Sequence, residues 1–310
     1  MKISYLVFNC QDLYVFMDKY NDENLSQLFP PKWQLMTTSF FPNKSLDSLF
    51  HIADLIQLLK VDIIMLVEVG GKESLENFNQ YFLNNEFDIQ LEESNSDRGI
   101  DLGYLIRKDL GVKTKLISHK DKVLSNKKKF ARGAFELQIF KDDSLIHINF
   151  LCHLKSKLNL RRNDFEGRDQ RAAEVNYLVE LYQKRSSKYQ DIPITISGDL
   201  NGIIYKEETE QELDPLISQT DLKDIFEHMD NPVEQRYTYC YFNRLNQVYP
   251  MQLDYFLISN KFVSMIDYKA TQVLGFKSPY IDTFKLPSSL QDKNKLPSDH
   301  FPIYTVISYT

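Results

Sequence analysis

Short apolar runs recur along the chain, separated by turns or by segments in which apolar residues recur at helical spacing. Ile3–Phe8 reads as a buried strand. Leu46, Leu49, Phe50, Ala53, Ile56 and Leu59 fall on one helical face and predict a helix over Leu46–Leu59. Val61–Val67 follows as a strand, Leu75–Leu83 as a helix and Gly103–Arg107 as a strand. Ala134–Phe140 and Ile146–Cys152 pair across the turn Lys141-Asp142-Asp143-Ser144. Gln170–Arg185 reads as a long helix and Ile192–Ser197 as a strand. Leu216–Ile217 and Leu222–Phe226 frame a helix and turn, and Leu253–Ser259 and Pro302–Ser308 are the last strands.

This order is neither a strict βαβ alternation nor all-β. Hairpins mix with crossing helices, which fits an α/β (α+β) chain of two mixed sheets packed face to face, with helices outside. The length of 310 residues would by itself suggest about two domains. No repeat or Gly/Ser linker divides the chain, and the motifs below draw on both ends, so residues 1–310 are read as one domain. Phe29-Pro30-Pro31 and Lys206–Asp214 read as loop insertions, the second (KEETEQELD) as a solvated acidic one.

Composition narrows the class. Hydrophobic residues make up 43% and charged residues 26%, as in a globular protein with a core. The net charge of −6 and pI near 5.6 speak against a non-specific nucleic-acid coat protein, although a local basic groove would still bind one. Cys10, Cys152 and Cys240 are too far apart for a zinc motif and odd in number, so they read as buried core thiols. The N-terminus, MKISYLVFNCQDLY, lacks the longer apolar region of a signal peptide, and no run approaches a membrane span. A cytoplasmic protein is the expectation, with export that reads no signal left open.

The chemistry lies where polar residues stand against strands. Asn9 follows ISYLVF, Glu68 follows VDIIMLV and His153 follows INFLC. Asp199 and Asn201 follow ITIS, Asp254 opens DYFLIS, and Asp299 and His300 precede FPIYTVIS. Taken singly, each is more often a turn former, a cap or a solvated strand end. Together, carboxylate and carboxamide oxygens suit a hard cation such as Mg²⁺ or Mn²⁺, and two histidines add proton transfer or anion stabilisation. That combination points to metal-assisted hydrolysis of a phosphate ester.

In order along the chain, FNCQDLY, DIIMLVEV, RGIDLGYLI, CHLKSK, SGDLNG, QLDYFLIS and PSDHFPI resemble the motifs of the endonuclease/exonuclease/phosphatase superfamily. They run from residue 8 to residue 303. SGDLNG together with SDHFP is specific, whereas GDxN alone is weak. The resemblance implies a four-layer sandwich with the active site at one end of two sheets. It implies that Asn9, Glu68 and Asp299 surround the metal, and that Asp199 and Asn201 orient the attacking water and phosphate, with Asp199 as proton acceptor. His153 would donate to a non-bridging phosphate oxygen, and His300, paired with Asp254, would stabilise the pentacovalent transition state. Val67 stands where the family often has Gln. Gln11 stands where the abasic-endonuclease subgroup tends to have Asp, so the chain looks more like the bacterial nuclease-like branch, as does R-x-Q-x-A over Arg168–Ala172.

Two basic clusters bear on substrate. Lys120, Lys122, Lys127, Lys128, Lys129 and Arg132 form one; Lys155, Lys157, Arg161, Arg162, Arg168 and Arg171 form the other. In the family fold both lie near the site's rim, so Arg98, Arg132, Lys155 and Arg168 are the expected substrate contacts. The alternative for both clusters is a solvated face. The leading expectation is a monomeric nuclease acting on DNA or RNA. A phosphodiesterase or phosphatase for a lipid headgroup or small phosphate ester is the alternative. Phe40-Phe41-Pro42 is the one apolar segment that would help membrane docking. A catalytically dead binding module is the third reading, but such members lose a metal or histidine residue and none is lost here.

Overall fold

The computed structural model describes residues 1–20, 24–157, 164–205, 208–276 and 286–309. In the first half, β1 (Lys2–Leu13) leads through α1 (Pro30–Gln34) and α2 (Leu46–Leu59) to β2 (Ile63–Val69). There follow α3 (Gly71–Phe82), β3 (Phe87–Gln90), β4 (Asp101–Arg107), β5 (Lys113–Ser118), β6 (Ala134–Lys141) and β7 (Ser144–His153). The second half runs α4 (Arg168–Lys188), β8 (Ile194–Asp199), α5 (Pro215–Ser218), β9 (Leu222–Asp224) and α6 (Ile225–His228). It ends β10 (Tyr239–Phe242), β11 (Val248–Met251), β12 (Asp254–Ser259), β13 (Gln272–Val273), α7 (Leu290–Lys293) and β14 (Ile303–Ser308).

Two six-stranded mixed sheets result, in the orders β13-β14-β1-β2-β4-β3 and β5-β6-β7-β8-β12-β9. β1 and β2 are parallel, as are β7 and β8; the other pairings are antiparallel. α2 and α3 cover the outer face of the first sheet. On α2, Ser45 caps the start by accepting from Ser48 N, and Leu49, Ile52, Leu55 and Ile56 are buried. α4 covers the second sheet with Leu178 and Tyr182 against Ile148, Ile196 and Tyr255. The result is a four-layer α/β sandwich.

Between the sheets the core carries a hydrogen-bonded polar seam. Tyr5 Oη lies 2.9 Å from His147 Nδ1 and 2.5 Å from Tyr309 Oη. His147 Nε2 lies 2.8 Å from Thr195 Oγ1. Asn149 Nδ2 donates to Thr195 and Ser197, and Tyr104 Oη donates to Asn149 Oδ1. Ser197 Oγ reaches Met65 Sδ on the opposite sheet at 3.0 Å. Each contact ties a residue of one sheet to one of the other, or continues the line.

Element boundaries differ from the sequence expectations for local reasons. α4 begins two residues early because Asp164 accepts from Asp169 N and Gln170 N. β1 runs on to Leu13 because a register shift between Asn9 and Leu13 lets Leu13 pair with Val69. The three cysteines are buried and free, as expected. The acidic insertion is not simply solvated. Lys206 and Glu207 fall outside the described residues, but Leu213 is buried and Glu212 pairs with Arg171. Arg171, counted among the basic rim residues, is itself fully buried: Nη1 donates to Lys155 O at 2.8 Å and Glu166 O at 3.0 Å. A buried guanidinium needs such partners, which is why it is not at the surface.

Candidate active site

The ends of β1, β2, β7, β8 and β12 meet at one edge of the sandwich. Parallel register sets His153 beside Asp199, and antiparallel register sets Asp254 beside Asp199. From the facing sheet, Asn9 Nδ2 donates to Asp199 Oδ2 at 3.0 Å. His153 Nε2 lies 3.5 Å and His300 Nε2 4.0 Å from the same oxygen. The other oxygen, Oδ1, accepts from Asn201 N at 2.8 Å. Asp199 is thus the hub, and burial raises its pKa.

The backbone is bent to make this possible. Gly198 has φ 120°, and a Cβ there would come within 2.0 Å of Cys152 O, so only glycine lets β7 and β8 close up beside Asp199. Asn201 sits in the left-handed region at φ 52°, a place asparagine tolerates, and its Nδ2 donates to Leu154 O. Glu68 has φ 62° at a register shift between Val67 and Val69. A glutamate held in that conformation is strained, as functional residues often are.

His300 Nδ1 meets Asp254 Oδ2 at 2.7 Å. Burial opposes a charge on this imidazole, but Asp254, then Asp199 and Asp299, outweigh it and hold the pKa well above the usual value. His153 goes the other way: burial, then the Arg132 charge, push its pKa well down. The two rings therefore differ, one a neutral N–H donor and one a cation. Asp254 Oδ1 is buried with no hydrogen-bond partner.

Glu68 Oε2 accepts from Asp12 N at 3.3 Å, and Arg98 Nη2 bridges Asp12 Oδ1 (2.5 Å) and Glu68 Oε2 (3.9 Å). Burial, then the Asp12 charge, raise the Glu68 pKa, with Asp299 adding to the effect. Asp299 N donates to Gln11 Oε1, and its Oδ2 lies 3.3 Å from Lys293 Nζ. Ser298 Oγ donates to Asn9 O, joining the C-terminal motif to β1.

Among the described residues, Asp199, Asp254 and His300 form a group whose ligand atoms lie within 4.8 Å of one another. His300 Nδ1 and Asp254 Oδ2 are already spent on each other, which suits a dyad better than a cation site. Asn9, Glu68 and Asp299 carry carboxylate and carboxamide oxygens of the kind a hard divalent cation takes. The donor set fits a divalent ion.

A cleft of about 300 Å³ opens beside His153, lined by Arg98, Lys128, Lys129, Arg132, Lys155 and neighbours. Arg132 Nη1 donates to Leu154 O, one residue beyond His153. Three of the four expected substrate contacts thus share one cleft. Arg168 lies outside it, paired with Glu166 and lining a separate depression with Asp169, Glu210 and Glu212. Arg161 and Arg162 fall outside the described residues.

No family model and no curated protein matches the chain. Solved structures do. The Danio rerio TDP2 complexed with single-strand DNA product is 16% identical, with TM-score 0.61, over 99% of each chain. A mannosyl-6-phosphatase of Bacteroides thetaiotaomicron is 15% identical, with TM-score 0.58, over 98% of this chain and 99% of that one. A Bacteroides thetaiotaomicron endonuclease/exonuclease/phosphatase family protein is 14% identical, with TM-score 0.57, over 99% of this chain and 95% of that one. The chain has the endonuclease/exonuclease/phosphatase fold. In this fold the sequence-predicted residues converge: Asn9, Glu68, His153, Asp199, Asn201, Asp254, Asp299 and His300 share one edge. Sequence reasoning missed Asp12, which bridges Arg98 and Glu68, and Tyr239, whose ring packs 4.8 Å from that of His300. Positive φ at Gln11 and Asp12 is the signal there, and it is a property of the backbone alone. The described helices include none long and apolar enough to cross a membrane.

Proposed function

We propose that this chain is a divalent-metal-dependent phosphodiester hydrolase acting on nucleic acid, with residues 1–310 as one domain. The observation that carries the reading is Asp199, buried where Asn9, His153 and His300 converge from both sheets, with a basic cleft alongside. Asn9, Glu68 and Asp299 would hold Mg²⁺ or Mn²⁺. When bound, the metal supplies charge neutralisation and polarisation at a phosphoryl oxygen.

The chain's own groups do the rest. Asp199 accepts the proton of the attacking water, a task its raised pKa favours, while Asn201 orients the water and the phosphate. His153, kept neutral, donates an N–H to a non-bridging oxygen. His300, kept cationic by Asp254, faces the charge that builds up in the pentacovalent transition state. Arg98, Arg132 and Lys155 take flanking backbone phosphates, with Arg168 a more distant contact. We further propose that the enzyme acts as a monomer in the cytoplasm.

A small phosphate ester is the second reading, favoured by the fold shared with a mannosyl-6-phosphatase. The test is incubation with supercoiled DNA, RNA and a chromogenic phosphodiester, each with Mg²⁺, Mn²⁺ or chelator. Nucleic acid should be cut only with metal. Glu68→Gln should lower the metal-induced rise in melting temperature and require more metal for activity. Full activity in excess chelator overturns the metal-assisted mechanism, and turnover of small esters alone favours the second reading.

A further inference from the structure

β10 and β11 form a two-stranded ribbon that neither sheet contains. Its base is fastened to the site. Tyr239 makes a β-bridge with His300, and the two rings pack against each other. Lys293 Nζ donates to Cys240 O at 2.8 Å, lies 3.8 Å from the Tyr239 ring centre and pairs with Asp299. The ribbon is therefore a fixed extension of the site.

The face that begins at Tyr239 continues outward. The register pairs Tyr239 with Met251 and Tyr241 with Tyr249. Side chains two apart on a strand share a face, so Tyr241 and Tyr249 lie one step beyond Tyr239 on the same side. Their ring centres are 6.2 Å apart and each residue is 48% exposed. Beyond them Asn243 and Gln247 hydrogen-bond to each other. Tyr239 bridges His300 just before β14 and Thr238 Oγ1 accepts from Leu253 N and Asp254 N at the start of β12, whereas the residues of the basic cleft precede β4 and β6 and follow β7.

We infer that Tyr241 and Tyr249 are a stacking platform for an unpaired base next to the scissile phosphate, so that the substrate is a single strand running from basic cleft to ribbon. The inference rests on the nuclease reading above. Aromatic faces stack any base, with little regard to sequence. Duplex pairing would hide the base face the platform needs. The phenolic hydroxyls and the amide pair beside them suit a wet, planar, polar-edged ligand better than acyl chains.

The test is fluorescence anisotropy in chelator, so that nothing is cut, with a labelled mixed-sequence single strand, an abasic strand of equal length and a duplex. The wild type should bind the single strand more tightly than the abasic one. Tyr241→Ala with Tyr249→Ala should weaken single-strand binding about tenfold and leave the abasic strand unchanged. Phe at both positions should restore binding and Leu should not. Equal binding of the single strand by the wild type and the double Ala variant, or rescue by Leu, overturns the platform. If the wild type cuts nucleic acid and the variants bind normally, only the platform fails. If it turns over small esters and binds no strand, the nuclease reading fails with it.

Discussion

β7 and β8 each carry buried polar residues at two levels, and the two levels behave differently. Midway along, His147, Asn149, Thr195 and Ser197 form the seam between the sheets, and none of their buried side-chain atoms lacks a partner. At the strand ends, His153 and Asp199 belong to a cluster in which Asp254 Oδ1 is unpartnered and the Asp199 carboxyl is pushed up. A closed hydrogen-bond network specifies how the sheets register. An open one keeps unmet valence for a reacting group. His147 and His153 lie six positions apart on one strand, yet only the second faces a cluster of carboxylates.

The largest expected difference between the two levels is in turnover. His300→Ala or His153→Ala should lower kcat by roughly 10²–10⁴-fold with little change in KM, because the lost contact belongs to the transition state. Steady-state kinetics on folded variants checks this, with His228→Ala as the nearly silent control. A folded His300→Ala enzyme with wild-type kcat would dissolve the contrast.

The seam should respond in stability instead. Asn149→Ala strips partners from Tyr104, Thr195 and Ser197 and should cost about 3 kcal/mol in urea unfolding. Its kcat should stay within a few fold of wild type. A variant that kept full stability but lost activity would place the seam within the catalytic machinery.

The smallest effect is a pH dependence. Burial lowers the His147 pKa to about 3, with Tyr5 and Tyr309 facing Nδ1 and Thr195 facing Nε2. Between that value and the unfolded one near 6.5, the unfolded chain binds the extra proton, so stability falls as pH falls. From pH 7 to pH 5 this amounts to about 2 kcal/mol. His147→Asn should be the less stable protein at pH 7 and should lose about that much less on acidification. Parallel stability curves for the two proteins would show that His147 titrates normally.

Much of the fold could be read from the chain because most core strands are apolar runs interrupted or ended by a polar residue, and at Asn9, Glu68, His153 and Asp199 that polar residue also belongs to the candidate site. The seam was hidden for the same reason. His147 and Thr195 sit inside runs that read as core, and only pairing across the sheets shows what they touch. The ribbon was missed because Tyr239–Phe242 and Val248–Met251 are short, aromatic and half-exposed, without a buried face to announce them. Arg171 was misjudged because a basic residue beside other basic residues looks solvated until the acid that neutralises it, Glu212, arrives from 41 residues away.

That buried arginine bears on how the chain could be shortened. Lys155 O, Glu166 O and Glu212 all depend on one guanidinium, and Lys157 pairs with Glu210 beside it. A protein engineer trimming surface loops would pick the acidic stretch around residue 210 first, since it reads as dispensable. Removing it would leave a positive charge stranded beneath α4 and loosen the segment that carries Lys155. Deletions there should be tolerated only when Arg171 is replaced in the same step by an uncharged residue of similar bulk.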